Sequence, residues 1–323
     1  MQSEINIIIT DTHFGIKNGS QKWLDNQLDG MDEIYNYILN IKKDYETINL
    51  IHCGDVFDNR SNINTYILKS VRDVLYKLAE VVDKFYILAG NHDYYSPKET
   101  FKDVNSIDLL LQHPNMVLVT DQPLMSKDEQ IRKCFVPWYE FKNINEIIEN
   151  NSPDIVFTHE DLFGFNNKYN STIIAGHIHV PTTYGNAKNI CSTFAMNFAD
   201  ANQERGFYTF DGELNFHPLK NIIKFYNKNA DDTDFFNYEK LNKNDYIRIH
   251  IDNEKILMDD YIEMIRKYRE VCENVFVFIF NKNTEITEEY ELGTKNIDEI
   301  ITEIIPEHLK QAFEKIKEIA LKN

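Results

Sequence analysis

The sequence predicts an α/β fold on three observations. Apolar runs alternate with helically spaced stretches as βαβαβ through residue 89, a β-α-β pattern returns after a polar stretch, and two amphipathic helices close the chain. At 323 residues the chain can hold one large domain and a smaller one. Its 42% hydrophobic and 27% charged residues suit a soluble globular protein. No run approaches the ~18 apolar residues that span a bilayer. The N-terminus enters a strand at Ile5 without a basic region or cleavage site, so neither a membrane span nor a secretory signal is expected. Cys53, Cys134, Cys191 and Cys272 form no C-x-x-C pair and are expected to be reduced thiols rather than disulfides or a zinc site. The net charge of −18 argues against holding nucleic acid by a basic surface, because phosphate contacts need Lys and Arg. Divalent ions or a basic partner would change that balance locally.

Ile5, Ile7, Ile8 and Ile9 form the first strand, which runs into Asp11-Thr12-His13-Phe14-Gly15. Trp23, Leu24, Leu28, Met31, Ile34, Tyr35 and Ile38 then recur at helical spacing. A second strand over 48–53 runs into Gly54-Asp55-Val56-Phe57-Asp58-Asn59-Arg60. The next helix carries Ile67, Val71, Val74, Leu75, Leu78 and Val82 on one face and leads to a third strand, 85–89, ending in Gly90-Asn91-His92-Asp93. Shorter strands are expected over 116–119 and 131–136. A strand over 154–158 ends in His159, and one over 172–175 ends in Gly176-His177-Ile178-His179. Residues 206–210 and 214–217 read as a hairpin joined through Asp211-Gly212. The stretch 226–244, rich in Asn, Asp and Lys, reads as a boundary before a strand (246–251), a helix (257–271) and a strand (275–280). After a second polar stretch, Ile297, Ile300, Ile301 and Ile304 fit one helix face. Pro306 suits the first turn of another helix, along which Leu309, Phe313, Ile316 and Ala320 align.

Five of these strands end in residues able to bind a metal: Asp11 with His13, Asp55, Asn91 with His92, His159, and His177 with His179. One strand-end histidine is commonly hydrogen-bonded structure, but five such ends in one α/β domain are hard to obtain by accident. The D-x-H and H-x-H spacings place residues i and i+2 on one side of an extended segment, so each pair should face one cleft. Carboxylate, imidazole and amide oxygen suit Mn²⁺, Fe²⁺ or Zn²⁺ better than a thiolate-loving site does. Eight ligand positions from seven residues, one carboxylate being shared, would hold two ions about 3.5–4 Å apart. Such a pair activates water and stabilises charge on a phosphoryl group in an in-line displacement, which points to hydrolysis of a phosphate ester. Asp93 is expected to be a turn or cap residue. His52, His113, His217, His250 and His308 lack the strand-end pairing and are assigned no metal role, with His250 placed on a solvated face beside Arg248.

The series D-x-H, G-D-x-x-D, G-N-H-D, a lone histidine and G-H-x-H resembles the signature of the calcineurin-like metallophosphoesterases. Within that superfamily the chain resembles the SbcD-type DNA-repair nuclease subunits and their tailed-phage recombination-endonuclease relatives. The softer matches are the D-x-H-x-G opening at Asp11, the Gly54-Asp55-Val56-Phe57-Asp58 segment, Val136-Pro137-Trp138, and Asn197-Phe198-Ala199-Asp200 leading to Arg205-Gly206-Phe207-Tyr208. The resemblance implies a layered fold of two packed β-sheets flanked by helices over 1–222, and a small α+β DNA-capping domain over 223–290. It assigns 291–323 to a linker and a C-terminal helical tail that binds a partner. One metal would be held by Asp11, His13, Asp55 and His179, the other by Asp55, Asn91, His159 and His177, with Asp55 bridging. His92 would stand beside the attacked phosphate, stabilise it and protonate the leaving oxygen. Asp58 would orient His92 through a hydrogen bond. The resemblance further implies two divalent ions, manganese first with magnesium, iron or zinc as alternatives. The implied activity is cleavage of DNA as exonuclease on double-stranded ends and endonuclease on single strands, in repair, recombination and replication. An SbcC-type ATPase gripped by the C-terminal helices, a homodimer, no membrane, and a place in the cytoplasm of a phage's host complete the expectation.

Protein phosphatases of the superfamily carry an arginine directly after the second aspartate of G-D-x-x-D-R-G, and a G-N-H-E motif. Here Asn59 precedes Arg60, no glycine follows, and Asp93 stands for the glutamate. A metal-dependent phosphatase or small-molecule phosphodiesterase is therefore the second reading. A scaffold without metals is the third, disfavoured by the complete ligand set.

Overall fold

β1 (Gln2–Ile9) is apolar on both faces: Ile5, Ile7 and Ile9 pack to one side and Ile8 to the other, as the two-residue period of a strand requires. The computed structural model describes residues 2–109, 113–126, 131–165, 168–231, 241–252 and 259–280. Met1–Phe280 forms one compact unit. The helices predicted over 297–320 lie outside the described residues.

β2 (Tyr45–His52), β3 (Lys84–Leu88) and β4 (Met116–Val119) follow β1 in parallel. The predicted hairpin, β11 (Gly206–Phe210) and β12 (Leu214–Pro218), closes the other edge antiparallel, giving the order β12-β11-β1-β2-β3-β4. A single turn, α1 (Ile16–Gly19), precedes α2 (Gln21–Ile41), and α3 (Thr65–Ala79) starts on Asn64, whose side chain accepts the Tyr66 N–H at 2.8 Å. Leu24, Met31, Ile34 and Ile38 of α2 and Ile67, Val71, Leu75 and Leu78 of α3 form one core with Ile7, Leu50, Phe85 and Ile87.

The second sheet is built from β5 (Leu124–Met125), β6 (Lys133–Val136), β7 (Ile155–His159), β8 (Thr172–Gly176), β9 (Thr182–Tyr184) and β10 (Ala187–Asn189), in the order β5-β6-β7-β8-β10-β9. Ile155, Phe157 and Ile174 face Ile8, Ile51 and Tyr208 between the sheets, while Val156, Ile173 and Ala175 face Ile144, Ile147 and Ile148 of α4 (Ile144–Asn151). The layers therefore run helices, sheet, sheet, helix, which is the layered α/β arrangement expected from the sequence. β5, β9 and β10 escaped the sequence reading because two or three residues carry no alternation to detect.

A third sheet of parallel strands follows, β13 (Phe225–Asn229), β14 (Tyr246–Asp252) and β15 (Asn274–Phe280), with α5 (Asp259–Val271). Ile247, Ile249 and Ile251 pack on Met264, Tyr268 and Cys272. β13 overturns the boundary reading for its residues. Its polar composition is that of an edge strand, and its pairing with β14, from Phe225↔Tyr246 to Asn229↔His250, is non-local. All four cysteines are buried and free. No described helix is long and apolar enough to cross a membrane.

Candidate metal centre

The loops that leave β1, β2 and β3 in one sheet and β7 and β8 in the other converge on one cleft, lined by His13, Asp55, Asp58, Asn91, His92, His177 and His179. The loop backbones are not extended. Asp11 (φ 48°), His13 (φ 43°), Asp55 (φ 56°) and His177 (φ 77°) occupy the left-handed region, which disfavours residues with a Cβ by roughly 1–3 kcal/mol each. The expected i, i+2 alternation of D-x-H and H-x-H is thus replaced by tight left-handed turns. Two glycines let the turns close. A Cβ on Gly90 would lie 2.2 Å from Asp55 Oδ1, and one on Gly54, itself at φ 97°, 2.5 Å from His159 Nδ1.

Hydrogen bonds fix the side chains. Asp11 Oδ2 accepts from the Thr10 hydroxyl at 2.6 Å and from the His177 N–H at 3.1 Å, joining the two sheets. The two oxygens of Asp55 have separate duties. Oδ1 accepts the His92 N–H at 2.8 Å, while Oδ2 lies 3.5 Å from His13 Nε2 and 3.2 Å from His159 Nε2. Asp11 Oδ1 is 3.8 Å from His13 Nε2 and 3.7 Å from His179 Nε2. On the other side, Asn91 Oδ1 lies 3.1 Å from His159 Nε2 and 3.0 Å from His177 Nδ1. His159 Nδ1 sits 2.7 Å from the Cys53 carbonyl, so that nitrogen donates and Nε2 is free for the cleft. Asp11, His13 and His179 thus gather their ligand atoms on one side and Asp55, His159 and His177 on the other, while His13, Asp58 and His92 form a third group of neighbouring ligand atoms. His177 and His179, two residues apart, go to different groups.

The chemistry of this donor set fits cations. Both ring nitrogens of His13 are buried without a hydrogen-bond partner, a costly arrangement for an imidazole unless something in the cleft completes it. Burial would raise Asp11 and Asp55, yet both are held below the usual carboxylate range, Asp11 by His159 and His13 and Asp55 chiefly by His159. Burial would depress His159, but Asp55 and Asp11 outweigh it and push it up to about 10; His13 is raised in the same way. Without ions, the two anions are balanced by protons on imidazoles. Divalent cations would take that place and release the protons.

Asp58 and His92 meet through a main-chain hydrogen bond. His92 Nδ1 bonds the backbone carbonyl of Asp58 at 2.8 Å, whereas the Asp58 carboxylate stands 3.6 Å from His13 Nδ1. The turn after Asp55 brings the main chain, not the side chain, to His92. Asp93 does more than cap a turn. Its buried carboxylate accepts N–H groups from Gly90 (2.9 Å), Val56 (3.0 Å) and Phe57 (3.2 Å), clamping the Asp55 loop to the Asn91 loop. Burial and the Asp55 charge push its pKa up to about 7. His52 bonds the Thr12 hydroxyl at 2.9 Å, and burial lowers its pKa to about 3.

Sequence reasoning missed Arg205 as a brace. It is fully buried, pairs with Asp200 at 2.7 Å and donates to the His179 carbonyl at 2.8 Å. Asp200 in turn accepts the Met196 and Asn197 N–H groups at 2.7 and 3.2 Å. An arginine directly before the apolar run of β11 was the available signal. Arg205→Ala leaves Asp200 buried and unpaired, so unfolding in urea should show a loss of about 3–5 kcal/mol. A loss under about 1 kcal/mol, the range of a surface pair, would contradict this role.

The calcineurin-like phosphoesterase family profile matches residues 7–181. The chain is 26% identical over 221 residues to exonuclease subunit 1 of Enterobacteria phage T4, and the match covers 63% of each chain, less than two thirds of that relative. A solved archaeal phosphodiesterase is similar at 12% identity with a TM-score of 0.34, covering 67% of this chain and 99% of its own. The family match covers more than half of the chain and every cleft residue from Asp11 to His179, so the protein belongs to the calcineurin-like phosphoesterase family of hydrolases.

Proposed function

We propose that the protein is a divalent-metal-dependent nuclease subunit that hydrolyses DNA phosphodiesters. The observation that carries the two-ion reading is Asp55 Oδ2, placed between His13 Nε2 at 3.5 Å and His159 Nε2 at 3.2 Å, as a shared carboxylate would be. Asp11, His13, Asp55 and His179 would hold one ion, and Asp55, Asn91, His159 and His177 the other. Manganese is the proposed metal. When bound, such a pair supplies a nucleophile at neutral pH and stabilises charge on the phosphoryl oxygens.

The chain's own residues do the rest. The Asp58 carbonyl accepts a hydrogen bond from His92 Nδ1–H and orients the ring. His92 Nε2 then donates to the phosphate and delivers a proton to the leaving oxygen. Asp58 thereby acts on His92 through its main chain and on His13 through its carboxylate.

DNA as substrate is supported by the phage exonuclease subunit among the relatives and by Asn59, which separates Asp58 from Arg60 where protein phosphatases have the arginine directly. Residues 223–290 would cap the DNA, and 291–323 would dock an SbcC-type ATPase, with the nuclease domains as a homodimer in the host cytoplasm. The net charge of −18 favours the second reading, a phosphatase or small-molecule phosphodiesterase. End-labelled DNA with manganese separates the two. Metal-dependent cleavage is expected, whereas intact DNA beside rapid turnover of a phosphomonoester overturns the nuclease reading. Deleting residues 296–323 tests the docking: ATPase association that survives the deletion removes the tail from that role.

A further inference from the structure

Among the described residues α5 covers one face of the third sheet, and the opposite face is packed at its Phe225/Tyr246 end by Trp23 of α2, whose ring centroid lies 6.0 and 5.8 Å from theirs, so the remainder of that face should be polar. It is not. β15 reads Asn274-Val275-Phe276-Val277-Phe278-Ile279-Phe280. Val275 and Val277 pack toward the core with Ile249 and Met264, leaving Phe276 and Phe278 on the opposite face at 44% and 46% exposure. In register beside them on β14 stand Arg248, opposite Phe276, and His250, opposite Phe278.

The arginine is held in an uncommon way for so acidic a chain. Its Cζ lies 4.1 Å from the Phe198 ring centroid and 4.6 Å from that of Phe278, and Nε is buried without a hydrogen-bond partner. Among the described residues Arg248 has no ion pair. The acidic position on this face of β14, Asp252, is buried at its end. Burial and the Arg248 charge lower the pKa of His250, so its ring, 5.7 Å from Phe278, is a neutral aromatic at neutral pH.

This face is continuous with the metal cleft. Asn197 lines the cleft, and its neighbour Phe198 meets Phe276 edge-on at 5.8 Å. Exposed rings interleaved with a guanidinium free of carboxylates match the chemistry of unpaired nucleobases and their phosphates: every base has a π-face to stack, and Arg both stacks and binds phosphate. A peptide would need pockets or acidic side chains aligned to Arg248 alone, and would leave the two phenyl rings without a specific partner.

We propose that the outer face of β13–β15 is a stacking platform for a single-stranded polynucleotide, with Phe276 and Phe278 carrying bases and Arg248 a phosphate, leading the strand toward the cleft at Asn197. The proposal rests on the nuclease reading for its substrate class. Binding is measured by fluorescence anisotropy with the full chain carrying His92→Ala, in manganese, against a labelled oligothymidylate and an abasic strand of the same length. The base-bearing strand should bind about tenfold or more tightly than the abasic one. That ratio should collapse toward one in Phe276→Ala/Phe278→Ala and persist in Phe276→Tyr/Phe278→Tyr. A ratio of one without the Phe changes, or a ratio that survives the alanine pair, overturns the platform. The wild-type ratio and the tyrosine pair decide the matter even if the alanine pair fails to fold. DNA cleavage by wild type with a ratio of one removes the platform and leaves the nuclease standing; no DNA cleavage removes the nuclease reading itself.

Discussion

Asp55→Asn is expected to empty the cleft of both ions and to lower kcat/KM by more than about a thousandfold, or about 4 kcal/mol of transition-state stabilisation. The amide preserves the shape and the Oδ1 acceptor that holds the His92 N–H at 2.8 Å, so the fold should survive. What changes is the atom facing His13 and His159. A neutral amide there removes the negative charge that both ion positions would share, and its N–H₂ orientation repels a cation. Metal content after gel filtration, read beside the kinetics, checks this. A variant that keeps two tightly bound ions would show that Asp55 does not bridge.

His92→Ala should instead separate chemistry from binding. On the proposed reading its loss removes a general acid, worth about 10²–10⁴ in rate, while the Asp11–His13–His179 and Asp55–His159–His177 groups keep every ligand atom. Both ions should remain. The loss should be far smaller on a nitrophenyl phosphodiester, whose leaving oxygen needs no proton, than on DNA. Equal losses on both substrates would place His92 in electrostatic stabilisation alone, and loss of metal would make it a positioning group for the ligands.

How much of this could be read from the chain follows from the range of each interaction. The split of β1 into Ile7 and Ile9 on one side and Ile8 on the other is a local pattern, and so is the face of α3. The cleft residues were readable because each follows an apolar strand, and a parallel sheet brings such ends together. The means by which they meet was not readable. Left-handed turns at Asp11, His13, Asp55 and His177 depend on contacts between loops from two sheets, and no spacing rule announces them. The same holds for the use of the Asp58 carbonyl, since the sequence names the residue and not which of its oxygens meets His92. Arg205 and Asp200 are close in sequence, but their bond to the His179 carbonyl joins segments that only the fold brings together. β13 was hidden because its polar residues pair with a strand that begins beyond residue 245.

The central claim is that one carboxylate oxygen serves two ions. Anomalous diffraction from crystals grown with manganese tests it most directly. Two peaks about 3.5–4 Å apart on either side of Asp55 Oδ2, one beside His13 and His179 and the other beside His159 and His177, are the expected result. A single peak, or two that do not share Asp55, would contradict the account.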